Sequence, residues 1–150
     1  EKIAIARERG AWAVINNKTE NIVERVAALT KGAKCPVVYD SVGKDTWETS
    51  LNCLQTRGLM VSFGNASGPV EGVNLGILAS KGSLFVTRPT LGQHVATLSK
   101  LQACVQELFD LVKCKKIHID VARSYALKDV AKAHSLLESR NTVGATILIP

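Results

Sequence analysis

Short apolar runs alternate with longer amphipathic ones along the chain. Ala13-Val14-Ile15-Asn16 is a brief β-branched run that reads as a strand. Between Asn21 and Thr30, Ile22, Val26 and Leu29 fall at i, i+4 and i+7, which is one face of a helix. Pro36-Val37-Val38-Tyr39-Asp40 predicts the next strand. Asp45 is placed to cap the helix after it, where Trp47, Leu51 and Leu54 repeat the helical spacing. Gly58 is expected to end that helix, and Leu59, Met60, Val61 and Phe63 to form a buried strand at once.

That strand stops at Gly64-Asn65-Ala66-Ser67-Gly68, a small and polar run. Apolar residues resume at Val73, Leu75, Ile77 and Leu78, and Gly82 to Val86 reads as another strand. From His94 to Lys113, Leu98, Leu101, Val105, Leu108 and Val112 make one continuous apolar stripe, the pattern of a long amphipathic helix. Lys116 to Val121 alternates like an exposed strand. Asp129 to Ser139 is helical with Val130, Ala133 and Leu137 facing inward, and Gly144 to Ile149 closes as a strand.

Strands alternating with helices predict an α/β fold, a parallel sheet covered by helices on both faces. The near-continuous apolar runs Val37-Val38-Tyr39 and Leu59-Met60-Val61 fit burial on both sides. Ligands of such sheets bind outside the carboxyl ends of the strands. Three strands end alike here, in Asp40-Ser41-Val42-Gly43, in the Gly64 to Gly68 run, and in Thr87-Arg88-Pro89. That shared edge is the candidate site.

Composition narrows the function classes. The 150 residues are 46% hydrophobic and 21% charged, the balance of a globular chain. No apolar run approaches the roughly 18–20 residues of a membrane span. The net charge of +6 suits an anionic partner, whether nucleic acid, a membrane surface or a phosphorylated cofactor. The cations are scattered, however. KCKK at Lys113 to Lys116 is the one tight cluster, at a predicted helix C-terminus where cations suit the macrodipole. Only 5% of residues are aromatic and no basic stripe interleaves with them, which argues against single-strand binding. Cys35, Cys53, Cys104 and Cys114 include no C-x-x-C pair, and His94, His118 and His134 show no ligand spacing. A zinc site and a disulfide framework are both disfavoured. Reduced, partly buried thiols in a cytoplasmic protein are the expectation.

The run VVYDSVGKDTWETSLNCLQTRGLMVSFGNASGPVEGVNLGILASKGSLFVTRP and the ending AHSLLESRNTVGATILIP carry a resemblance. With D-S-V-G, S-F-G-N and A-H-x-x-L-E-S-R in this order, the chain resembles the NADPH-dependent quinone oxidoreductases. These form the zeta-crystallin-like, zinc-free branch of the medium-chain dehydrogenase/reductase family. The resemblance implies an oxidoreductase with NADPH as cofactor and a quinone as substrate. It also implies a homodimer contact through the edge strand near Gly82 to Val86. Family members carry an N-terminal catalytic domain and a glycine-rich turn under the pyrophosphate. No G-x-G-x-x-G occurs in this chain, which opens EKIAIARERG without Met. It therefore resembles the C-terminal portion of the enzyme, a partial Rossmann-like sheet lacking the first two strands and the glycine-rich turn. Residues 1–114 would be the partial NADP-binding domain, and 115–150 a segment returning toward the catalytic domain.

The resemblance also implies roles for residues. Lys2 matches a lysine that reaches the 2′-phosphate of NADPH; otherwise it is an exposed helical lysine. Asn17 stands where relatives often have a tyrosine beside the adenine, and equally suits a turn. Ser41 and Val42 would meet the cofactor through backbone. Phe63, Gly64, Asn65 and Ala66 are the leading candidates, because glycine lets backbone approach a ligand and Asn both donates and accepts. Phe85, Val86 and Thr87 would face the nicotinamide carboxamide. Arg140 would reach the cofactor's phosphate end, or else simply favour a helix C-terminus. A non-catalytic nucleotide- or RNA-binding module, or a structural dimerisation module, is the competing class.

Losing two central strands strands Ala13 to Asn16 without a neighbour and makes Pro36 to Asp40 an open edge, which invites pairing with another chain. The isolated chain is expected to rearrange, to pair with another chain or to be marginally stable. A monomeric mass by light scattering together with a sharp thermal transition would contradict this.

Overall fold

In a computed structural model, which describes residues 2–139 and 142–150, the chain divides between His94 and Val95 into two compact units. The first contains α1 (Lys2–Glu8), α2 (Ile22–Leu29), β1 (Cys35–Asp40), α3 (Trp47–Asn52), β2 (Leu54–Ser62), α4 (Gly76–Ser80), β3 (Phe85–Thr87) and α5 (Leu91–His94). The second contains α6 (Leu98–Lys113), β4 (Val121–Ala126), a 3-10 turn at Leu127–Asp129, α7 (Val130–Glu138) and β5 (Ala145–Ile149). Both units are built on parallel strands flanked by helices, the α/β architecture expected from the alternating pattern.

In the first unit the strands run in the order β1-β2-β3 and all are parallel. Val38 pairs with Met60 and Met60 with Val86; Asp40 pairs with Ser62 at the carboxyl end. The core lies on one face of this sheet. Leu51, Leu54, Met60 and Leu84 are buried there, with Val38, Trp47, Ile77 and Leu78 packed against them. Strand side chains alternate between faces, so the neighbours of these residues point the other way. On that second face Tyr39 is 73% exposed and Phe85 53% exposed. The apolar runs predicted burial on both sides, and one side is covered. As expected, β1 is an open edge.

Local chemistry sets the helix ends. The Asn21 side chain caps α2, accepting from the Val23 N–H at 3.0 Å and the Glu24 N–H at 3.3 Å. Four sequence expectations are corrected. Ala13 to Asn16 forms no strand; Asn16 instead opens a turn, its carbonyl accepting from the Thr19 and Glu20 N–H groups. A lone extended segment with no adjacent strand makes its bonds locally. The cap of α3 falls at Thr46 rather than Asp45. Gly58 does not end α3, which stops at Asn52, but lies within β2. The strand expected over Lys116 to Val121 is absent up to Asp120. The Lys116 and Ile117 N–H groups both return to the Leu111 carbonyl, closing α6, and β4 begins at Val121.

The second unit pairs β4 with β5 in parallel, from Val121 opposite Ala145 to Ala126 opposite Ile149. The stripe on α6 that predicted a helix is largely uncovered: Leu98 is 69% exposed, and Leu101, Val105 and Leu108 are exposed too. Cys104 and Cys114 are also exposed rather than buried. No helix among the described residues is long and apolar enough to cross a membrane.

With so small a core in the first unit, each of its side chains carries weight. Leu51→Ala is expected to lower stability by about 2–5 kcal/mol, read as a shift in the urea midpoint. A loss under about 1 kcal/mol would show that the α3–sheet contact is not the core.

Candidate functional site

The carboxyl ends of β1, β2 and β3 lie side by side, and the loops leaving them form the candidate site. Asp40 organises the first loop. Its Oδ1 accepts from the Val42 N–H at 2.8 Å and the Gly43 N–H at 2.9 Å. Its Oδ2 accepts from the Thr46 hydroxyl at 2.7 Å and the Ser50 hydroxyl at 2.6 Å. Asp40 as a residue is 4% exposed. Burial pushes its pKa up, but the bonds from Ser50, the Gly43 N–H, Thr46 and the Val42 N–H outweigh burial and hold it below the ordinary value. The Asp40 carbonyl also accepts from the Phe63 N–H at 2.9 Å and the Gly64 N–H at 3.3 Å. One residue thus ties the turn after β1, the start of α3 and the end of β2 together.

The second loop packs directly on the first. The Ala66 N–H donates to the Ser41 carbonyl at 3.2 Å, and the Ser67 N–H to the Val42 carbonyl at 2.8 Å. The Ser67 hydroxyl donates to the same carbonyl at 2.9 Å and accepts from the Asp45 N–H at 3.0 Å. Contact this close explains the small residues. A Cβ on Gly64 would overlap the Ser41 backbone, coming within 2.7 Å of its Cα. At Gly43, where φ is +92°, a Cβ would sit 2.6 Å from the Gly68 carbonyl. The bare stretch is first of all a packing surface between two loops.

Arg88, leaving β3, closes the edge from the other side. Its Nη1 donates to the Ser62 carbonyl at 2.7 Å and to the Gly64 carbonyl at 3.2 Å. With the Asn65 amide oriented to satisfy both of its ends, its oxygen accepts from Arg88 Nη2 at 3.2 Å and its nitrogen donates to the Gly64 carbonyl at 2.8 Å. Two cavities flank this arginine. One, about 420 Å³, lies on the core side, with Trp47, Ser62, Asn65, Val86 and Arg88 in its wall. The other, about 590 Å³, includes Tyr39, Val61, Phe63, Arg88 and His94.

Of the residues singled out from sequence, Ser41, Val42, Phe63, Gly64, Asn65, Ala66, Phe85, Val86 and Thr87 come together along this edge. Phe63 is 50% exposed, and Ser41, Asn65 and Ala66 are exposed as well. Lys2 is in the first turn of α1 and Asn17 in an exposed turn ahead of α2, so neither belongs to the strand-end cluster. Arg140 lies outside the described residues. Sequence reading missed two residues. The Asp40 side chain was hidden because its hydroxyl partners are six and ten positions away. Arg88 was named only as a strand end, since its grip depends on β3 lying beside β2.

In open parallel α/β sheets ligands bind outside the carboxyl ends of the strands, where these loops gather. The chain belongs to the zinc-binding dehydrogenase family, whose model matches residues 9–148. It is 59% identical over its whole length to a quinone oxidoreductase of Pseudomonas aeruginosa, of which it spans 46%. It superposes on the crystal structure of Escherichia coli quinone oxidoreductase complexed with NADPH with a TM-score of 0.95 and 56% identity, covering 99% of this chain and 46% of that one. A quinone oxidoreductase of Pseudomonas syringae pv. Tomato matches with a TM-score of 0.94 and 56% identity over the same shares. The chain thus spans about half the length of these relatives. Among the described residues, no group of three or more His, Cys, Asp or Glu side chains could hold a metal ion. The described donors therefore do not fit the zinc of the family's name.

Because the folded-state pKa of Asp40 is depressed, its contribution to stability is complete above the unfolded value of about 3.9 and is lost as pH falls through the folded value. Asp40→Asn is expected to cost about 1.5–3 kcal/mol at neutral pH, the worth of bonds to a charged group. It should also flatten the acid limb of the stability curve. Chemical denaturation of both proteins at several pH values below 5 checks this; parallel curves would mean that Asp40 does not carry the loss.

Proposed function

We propose that this chain is the C-terminal, cofactor-facing portion of an NADPH-dependent quinone oxidoreductase. The observation that carries the reading is the convergence of Ser41-Val42, Phe63 to Ala66 and Phe85 to Thr87 on one strand edge. The likeness to a relative complexed with NADPH supports it. When bound, NADPH supplies the hydride that reduces the quinone. The residues here do the positioning. Gly64 keeps the loop flat against Ser41, so that Phe63 and Asn65 face outward. Exposed backbone and the Asn65 amide at this edge suit the neutral nicotinamide half. In this reading Lys2 and Arg140 meet the phosphates and Asn17 the adenine end; of these, Lys2 and Asn17 lie outside the strand-end cluster. The glycine-rich turn for the pyrophosphate is not in this sequence, so it must come from elsewhere in the longer protein. We further propose a homodimer contact along β3, which is an edge strand in the described sheet.

The test is quinone reduction with NADPH, by this chain and by the longer protein that contains it. The longer protein is expected to turn over and to prefer NADPH to NADH; the 150-residue chain should show no activity. Turnover by the chain alone, or a longer protein that oxidises no NADPH in the presence of quinone, would overturn the reading.

A further inference from the structure

We infer that Arg88 is a positioning residue for hydride transfer, acting through the backbone of β2's end rather than by touching the reacting atoms. The inference deepens the function proposed above and rests on it. Arg88 reaches from the end of β3 across to the end of β2, and its wall position is shared by both cavities beside the edge. Its grip is specific in direction. In an extended chain the carbonyls of residues two apart point the same way. Arg88 binds those of Ser62 and Gly64, leaving the intervening residue, Phe63, held between two fixed points. Phe63 itself stands half-exposed in the larger cavity. The guanidinium also takes the Asn65 oxygen, while the Asn65 nitrogen returns to the Gly64 carbonyl.

The Gly64 carbonyl therefore accepts twice, and the Asn65 amide has one orientation that satisfies both of its ends. Three consecutive residues that face the proposed cofactor edge, Phe63, Gly64 and Asn65, are fixed by one cation. The opposite side of the same segment is held by the Asp40 carbonyl, through the Phe63 and Gly64 N–H groups. Glycine at position 64 makes the double grip necessary. Without a side chain of its own, that residue has wide conformational freedom. A planar guanidinium can meet several acceptors at fixed angles, whereas a lysine ammonium is a point charge on a flexible stem. Charge conservation alone is therefore not enough at this position.

Misplacement of a reacting group by about 1 Å costs on the order of 100-fold in rate. Positioning thus predicts a loss in the chemical step and not in cofactor affinity. The experiment compares Arg88→Lys and Arg88→Gln with the unaltered longer protein. NADPH affinity is measured by fluorescence titration, hydride transfer by single-turnover absorbance, and the primary isotope effect with NADPH deuterated at the transferred position. Both variants are expected to slow hydride transfer by about 10- to 100-fold, with a full isotope effect and an NADPH Kd within about threefold of the unaltered protein. Amide hydrogen exchange should rise at residues 63–66 and stay unchanged in β1.

Unchanged hydride transfer in both variants would overturn the inference. So would full rescue by Arg88→Lys, because charge would then suffice. Faster exchange throughout the sheet would also overturn it, since Arg88 would then be serving general stability. Failure of the functional reading looks different: the unaltered protein would take up no NADPH or transfer no hydride, whatever residue 88 is.

Discussion

The buried Asp40 carboxylate is the constraint on which the rest of the first unit depends. A charged group on a residue with 4% exposure is costly unless its lone pairs are met. Here two backbone N–H groups and two hydroxyls meet them. Satisfying that carboxylate fixes the turn at Val42-Gly43 and draws Thr46 and Ser50 toward the strand end. Because Thr46 precedes α3 and Ser50 lies within it, the helix is aimed as a consequence. Leu51, next to Ser50, then enters the core beside Met60. The polar requirement and the apolar packing are satisfied by the same placement of α3, and neither has an independent register.

The apolar surface of the described residues is covered unevenly. The α3 face of the sheet is packed, while Tyr39 and Phe85 on the opposite face stand open. The stripe along α6 is open as well. Fully parallel sheets are ordinarily covered on both sides, and the apolar character of β1 and β2 is that of strands covered twice. Relatives of which this chain spans 46% have the additional length from which such cover could come. The surplus apolar surface and the partial coverage of the relatives are thus consistent with one another.

Sequence periodicity found what depends on neighbours close in the chain. The α2 face and the α6 stripe are both set by residues within a turn or two of each other, and each lies where the pattern put it. Strand runs succeeded at β1, β3, β5 and the second half of β2, while β4, although it has a parallel partner, was expected five residues too early. Ala13 to Asn16 has strand composition yet bonds within its own turn. Gly58 was misread because a glycine after a helical pattern signals an end, while the actual end at Asn52 has no glycine to mark it. Most of the site edge was legible, since three small or polar loops follow three apolar runs. What joins those loops was not. Asp40 acts over six and ten positions, and Arg88 over more than twenty. Such contacts exist only once the strand order is known.

Gly64 brings these threads together. Its N–H is held by Asp40 from β1, its carbonyl by Arg88 from β3, and its missing side chain lets the Ser41 backbone lie against it. A residue with a Cβ would have to push the Ser41 loop away, and that loop is fixed by the Asp40 carboxylate. Displacing it would break bonds to a buried charge, which is more expensive than losing a neutral contact. The glycine is therefore required by the same carboxylate that aims α3. The smallness of the loop, first visible as a gap in the hydrophobic pattern, follows from a charge buried two strands' width from the arginine that completes the edge.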